Sequence, residues 1–121
     1  MITRIKWKAV LLELASDRGT LVASGLTSVS CPGLFVHEGH NAKSGYSWFV
    51  THILSGKALS WDWISLEDAQ KMALELSMSG LNWDVSEEEI VADPKYKEVL
   101  RSSETELLSS GKAEKYATRK N

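Results

Sequence analysis

Tyr46-Ser47-Trp48-Phe49-Val50-Thr51-His52-Ile53-Leu54-Ser55-Gly56-Lys57-Ala58-Leu59-Ser60-Trp61-Asp62-Trp63 is the stretch from which the fold is read. Two runs rich in β-branched and aromatic residues flank Ser55-Gly56, the small polar and glycine pair that suits a tight hairpin turn. A two-residue turn there sets Trp48 opposite Trp63, Val50 opposite Trp61 and His52 opposite Leu59, all on one face because cross-strand partners share a face. That face is strongly aromatic. The other face, with Phe49, Thr51, Ile53, Ala58, Ser60 and Asp62, is mixed.

Toward the C-terminus, Ser65 begins the clearest helix, running to Ser79. Its hydroxyl can cap the first turn, Glu67 and Asp68 suit the positive end of the dipole, and Gly80 can close the last turn. Leu66, Ala69, Met72, Ala73 and Leu76 form its apolar stripe. Ser86-Glu87-Glu88-Glu89 supplies a capping box for a short helix, and Asp93-Pro94 restarts the chain as N-cap and first helical residue. Tyr96, Val99, Leu100, Ser103 and Leu107 give the last helix one apolar face. Gly111 to Asn121 is polar and lysine-rich, and is expected to fray.

Toward the N-terminus, Gly33 to His37 reads as a strand, and His37 to Gly45 as a polar, glycine-bounded loop. Thr20 to Ser30 suits a connecting loop or a brief edge strand. Between Thr3 and Asp17, Trp7, Val10, Leu11 and Leu14 recur three or four apart, which favours a helix. A strand is the alternative, because Ile5 and Trp7 alternate with charged residues and Val10 is β-branched. The expected fold is α+β: an antiparallel sheet of three or four strands, a helix packed on one face and a C-terminal amphipathic helix. One domain is expected over residues 1–110, followed by the 111–121 tail.

The 121-residue chain is long enough for one hydrophobic core, and 43% hydrophobic with 25% charged residues is ordinary globular composition. A formal charge of -2 provides no global field for nucleic acid or an anionic membrane. No apolar run approaches the roughly 20 residues that span a bilayer, and the N-terminus lacks a signal-peptide pattern. A cytoplasmic location is the simplest expectation.

Cys31, His37 and His40 lie close in sequence, His52 could join them across the sheet, and all four are zinc-binding types. Their spacing matches no standard zinc module, and His37-Glu38-Gly39-His40 is one residue short of the metalloprotease helix motif. Cys31 with His37 could make a nucleophile and base, yet no nucleophile elbow, phosphate loop or dinucleotide fingerprint accompanies them. No enzyme activity, metal or cofactor is expected. Tyr46, Trp48, Trp61 and Trp63, with Lys43 and Lys57, could instead stack bases and meet phosphates of a single strand. Burial of those tryptophans under the Ser65 helix is the competing and cheaper explanation.

If the first segment is a helix, the order helix, three strands, helix resembles the double-stranded-RNA-binding domain over roughly residues 3–80, in topology only. That family opens its second helix with lysines, whereas Ser65-Leu66-Glu67-Asp68 would repel phosphates. Ser24-Gly25-Leu26, Gly33-Leu34-Phe35-Val36-His37 and Trp48 to Leu59, with the following Glu-Asp-Ala helix, also resemble small uncharacterised proteins encoded by phages, plasmids and bacterial mobile elements. That resemblance covers roughly residues 24–83 and implies a setting without a mechanism: such accessory proteins bind nucleic acid or a host factor. The expectation is therefore a non-catalytic binding protein, with a protein partner or a second copy of itself, through the mixed sheet face or through Tyr96, Val99, Leu100 and Leu107. Nucleic-acid binding by the aromatic face is the alternative.

Overall fold

The computed structural model describes residues 5–16, 19–41 and 45–116. Strands β1 (Lys8–Ser16), β2 (Gly19–Thr27), β3 (Leu34–Asn41), β4 (Gly45–His52) and β5 (Ala58–Trp63) form one antiparallel sheet in the order β1-β2-β3-β4-β5. Helices α1 (Leu66–Ser77), α2 (Glu87–Ala92) and α3 (Pro94–Ser109) follow, so the fold is α+β. The sheet has five strands where three or four were expected, because the first two segments pair with each other. Lys8–Ser16 lies against Gly19–Thr27 through nine consecutive residue pairs.

The helical spacing at the N-terminus is thus overruled by tertiary pairing. Val10, Leu12 and Leu14 share the inner face of the β1–β2 hairpin, and Leu14 is buried; Ala9, Leu11, Glu13 and Ala15 share the outer, exposed face. The topology of the double-stranded-RNA-binding domain, which needs a first helix, does not apply. Of the two readings of Thr20 to Ser30, loop or brief edge strand, the strand holds, since most of it belongs to β2, though β2 lies between β1 and β3 and not at the edge.

β2 pairs with β3 only through Gly25↔His37 and Leu26↔Val36, then diverges. A Cβ on Gly25 would collide with the Val36 carbonyl and the Phe35 ring, so glycine permits this close crossing. At the far end of the hairpin the Ala15 backbone touches Gly56 in the β4–β5 turn. The tip of a flat meander would lie at the opposite end of the sheet from that turn. The hairpin therefore bends over the sheet face that carries Phe35, His37, Phe49 and Thr51, and Phe35 is fully buried.

The other face is covered by α1. Leu34, Val36, Val50 and Trp63 pack against Ala69, Met72, Ala73 and Leu76 in the main core. Ser65 Oγ accepts from the Asp68 amide at 3.1 Å, with Glu67 and Asp68 in the first turn, so the helix starts where its cap lies. Ser86 and Asp93 cap α2 and α3 in the same way. Trp83 anchors the link between α1 and α2: its indole Nε1 donates to the Leu76 carbonyl at 2.8 Å, and its ring meets Tyr96 edge-on at 4.9 Å.

The central hairpin keeps Trp48↔Trp63 but not the rest of the expected register. Val50 faces Ser60 and Thr51 faces Ala58, because the ladder shifts on both sides of Val50. Asp62 absorbs part of this irregularity at φ 69°, a left-handed conformation that aspartate tolerates better than most residues. The turn is also longer than two residues, with the His52 amide donating to the Lys57 carbonyl and the Gly56 amide to that of His52. Residues 111–116 dock instead of fraying: Ala113 is buried, the Ile64 amide donates to the Glu114 carbonyl, and Trp63 and Lys115 form an isolated bridge. Residues 117–121 lie outside the described residues. No helix among those described is long and apolar enough to cross a membrane.

Candidate functional site

The residues that could carry chemistry are dispersed. β3 and β4 point His37 toward the hairpin-covered face and His52 toward α1, on opposite sides of one sheet. His40 sits at the outer end of β3, edge-on to Tyr46 at 5.3 Å. Cys31 is buried in the core. The four candidate ligands do not converge, and among the described residues no group of three histidine, cysteine or acidic side chains is placed to hold a metal ion.

Each buried candidate is engaged locally. His37 is stacked between Phe35 and Phe49, at ring separations of 5.1 and 5.5 Å. Its Nδ1 lies 3.1 Å from the Glu38 carbonyl, which can only accept, so Nδ1 carries the proton and Nε2 accepts from the Thr51 hydroxyl at 2.7 Å. Burial between the two rings pushes its pKa down, against a smaller upward pull from that carbonyl. In His52, Nε2 donates to the Val85 carbonyl at 2.8 Å and Nδ1 accepts from the Ser55 hydroxyl at 2.8 Å, which in turn accepts from the Lys57 amide. Burial pushes the Cys31 thiol up, with the neighbouring Ser77 hydroxyl offsetting part of it, so the reactive thiolate is disfavoured.

The aromatic residues do not form one platform either. Trp63 is 0% exposed in the core beneath α1 and Trp48 is half-buried against it. Tyr46 is exposed beside His40, and Trp61 is exposed beside Lys115. Lys57 forms an ion pair with Glu87. Lys43 lies outside the described residues. The register shift in β5 is what separates Trp61 from Trp63, directing one outward and the other into the core.

The apolar face of α3 is also consumed within the chain. Tyr96 and Leu107 are buried, Val99 and Leu100 pack against the core, and Tyr96 Oη donates to the Asn82 carbonyl at 2.6 Å. The face expected to meet a partner is turned mainly inward, with Val99 and Leu100 partly buried, because α3 supplies the partner that α1 and the Trp83 link require.

The outside of the β1–β2 hairpin is an exposed apolar surface on regular structure. Leu11 is 71% and Val22 56% exposed on its outer face, with Leu21 exposed near the tip. Among the described residues β1 is an edge strand, with β2 as its one neighbour in the sheet. The sequence reading missed these residues because helical spacing around Leu11 masked a two-residue alternation, and because Leu21 and Val22 sit in a short, small and polar segment that suited a loop or brief edge strand. Comparison with models of known protein families, with curated proteins and with solved structures found no match.

Proposed function

We propose that this chain is a non-catalytic binding protein whose contact surface for a protein partner is the outer face of the β1–β2 hairpin and the edge of β1 ahead of Ala15, where the β4–β5 turn meets it. The observation that carries the reading is the exposure of Leu11 and Val22 on the outer face of a nine-residue edge strand and its neighbour. An edge strand presents unpaired backbone donors and acceptors, and natural proteins blunt such edges with proline, bulges or inward-pointing charges. β1 has no proline, and its ladder with β2 runs without a register shift. Strand addition along β1, with Leu11 and Val22 as apolar anchors, follows from that geometry.

The reading gains support from the burial of Cys31, His37 and His52, whose polar atoms serve the fold. It also agrees with the setting implied by the resemblance to accessory proteins of mobile elements. A photo-crosslinking side chain at position 11 tests it in cells. The expected result is one discrete adduct that Val22→Glu abolishes, with no adduct from the same group at Val91, an equally exposed position on α2. No adduct at position 11, together with a monomer in sedimentation, would remove the reading.

A further inference from the structure

Ser16 and Gly19 are the pair that closes the β1–β2 hairpin, with two residues of sequence between them, and a pair in that position exchanges both backbone bonds. Bonded and non-bonded pairs alternate along an antiparallel ladder. Leu14, Leu12, Val10 and Lys8 therefore bond to β2, while Ala9, Leu11, Glu13 and Ala15 turn their amides and carbonyls outward. Gly56 approaches the Ala15 amide nitrogen and carbonyl oxygen, which agrees with that assignment and closes the edge at that point. Among the described residues the open part of the β1 edge is then Ala9, Leu11 and Glu13, spaced evenly about Leu11.

From this symmetry we infer that the occupant of the edge is a second copy of this chain, its β1 running antiparallel to the first about a two-fold axis at Leu11. This second copy is the partner that the hairpin reading leaves unnamed, and the inference rests on that reading. About the axis Leu11 faces Leu11 of the second copy and Ala9 faces Glu13, so each outward amide and carbonyl meets its complement. Neighbouring registers fit less well. An axis at Glu13 sets two carboxylates directly opposite each other. An axis at Leu12 places Leu11 against Glu13 and calls on Ala15, which the β4–β5 turn already meets. An axis at Val10 or Ala9 runs past the start of the strand at Lys8.

The side chains that this pairing covers are the ones the single chain leaves open. On the outer face Leu11 is exposed, and the axis lays it against its own copy. On the inner face Leu14 is buried but Val10 and Leu12 are only partly so, and the axis brings Val10 beside Leu12 of the second copy. Glu13 stays at the rim opposite an alanine, where its carboxylate keeps its water. The pairing thus buries apolar groups on both faces and sets no charge against a like one.

The test uses the full chain in solution. Sedimentation equilibrium should show a reversible monomer–dimer equilibrium. Ala9→Pro should raise its dissociation constant about tenfold or more, because proline deletes an outward donor that the ladder with β2 does not use. Register is read with introduced cysteines under mild oxidation, Cys31 being buried. Leu11→Cys should form a disulfide dimer with itself. Ala9→Cys and Glu13→Cys should join each other when mixed and neither should join itself, since directly opposed residues lie within disulfide reach and residues four positions apart along the strand do not. A monomer at every concentration, a folded Ala9→Pro dimer as tight as the wild type, or a dimer without the mixed disulfide overturns the inference. If Ala9→Pro does not fold, the cysteine pair decides alone. A monomer that still gives a discrete adduct with another protein at position 11 overturns the second copy and keeps the hairpin reading.

Discussion

His52 Nε2 donates to the Val85 carbonyl across 2.8 Å and 33 positions of sequence, joining the β4–β5 turn to the link between α1 and α2. The same ring accepts from Ser55 through Nδ1, so one buried side chain holds both the turn and the helical layer. His52→Ala leaves the Val85 carbonyl and the Ser55 hydroxyl without this partner and opens a void beside the core. A loss of about 3 kcal/mol is expected. Urea denaturation measures it, and a loss below about 1 kcal/mol would show that the bond is dispensable.

His37 makes stability depend on pH. Its pKa is depressed in the folded chain, so between the ordinary histidine value of about 6.5 and the lower folded value the unfolded chain binds more protons. Stability is therefore full above that window and falls as pH decreases through it, by at most about 1.4 kcal/mol per unit. His37→Gln keeps an acceptor for Thr51 and removes the titration. Urea midpoints between pH 7.5 and 5 should decline less steeply in the variant; parallel slopes would place the dependence elsewhere.

Gly56 and Gly45 both have positive φ, at 73° and 75°. A Cβ at Gly45 would meet open space, whereas one at Gly56 would strike the Ala15 backbone. Gly45→Ala should cost about 1 kcal/mol of conformational strain, and Gly56→Ala at least about 1–2 kcal/mol more. The difference, read by thermal or chemical denaturation, reports the contact of β1 with the β4–β5 turn. Equal losses would mean that the hairpin does not rest there.

Cys31 is buried and its thiol pKa is raised. An aromatic disulfide reagent at neutral pH should modify it at least about 100-fold more slowly in the native protein than in urea, with the native rate tracking transient opening. Rapid native modification would indicate an accessible thiolate and reopen thiol chemistry.

The α-helices were legible because their signals are local. Ser65, Ser86 and Asp93 each cap the helix that follows, and the apolar spacing of α1 matches the face it buries. Trp48↔Trp63 matches the expected pairing only because two shifts in the β4–β5 ladder offset the longer turn, so the agreement did not come from local signals. The candidate site was less so: Leu11 belongs to a segment that read as a helix with a strand as the alternative, and Val22 to one that read as a loop or a brief edge strand. Nothing local in Trp61-Asp62-Trp63 announces which ring is buried.

By itself the sequence determined an α+β chain with a central hairpin, a capped helix to cover it, and no assembled set of ligands or nucleophiles that spacing could recognise. Only the tertiary structure decided that Lys8–Ser16 and Gly19–Thr27 are strands, that the β5 ladder shifts to separate Trp61 from Trp63, and that residues 111–116 dock on the β5 edge. The physical reason is range. Capping and helical periodicity act over one or two turns of chain, whereas strand identity, register and docking depend on which distant surface is available to complete them.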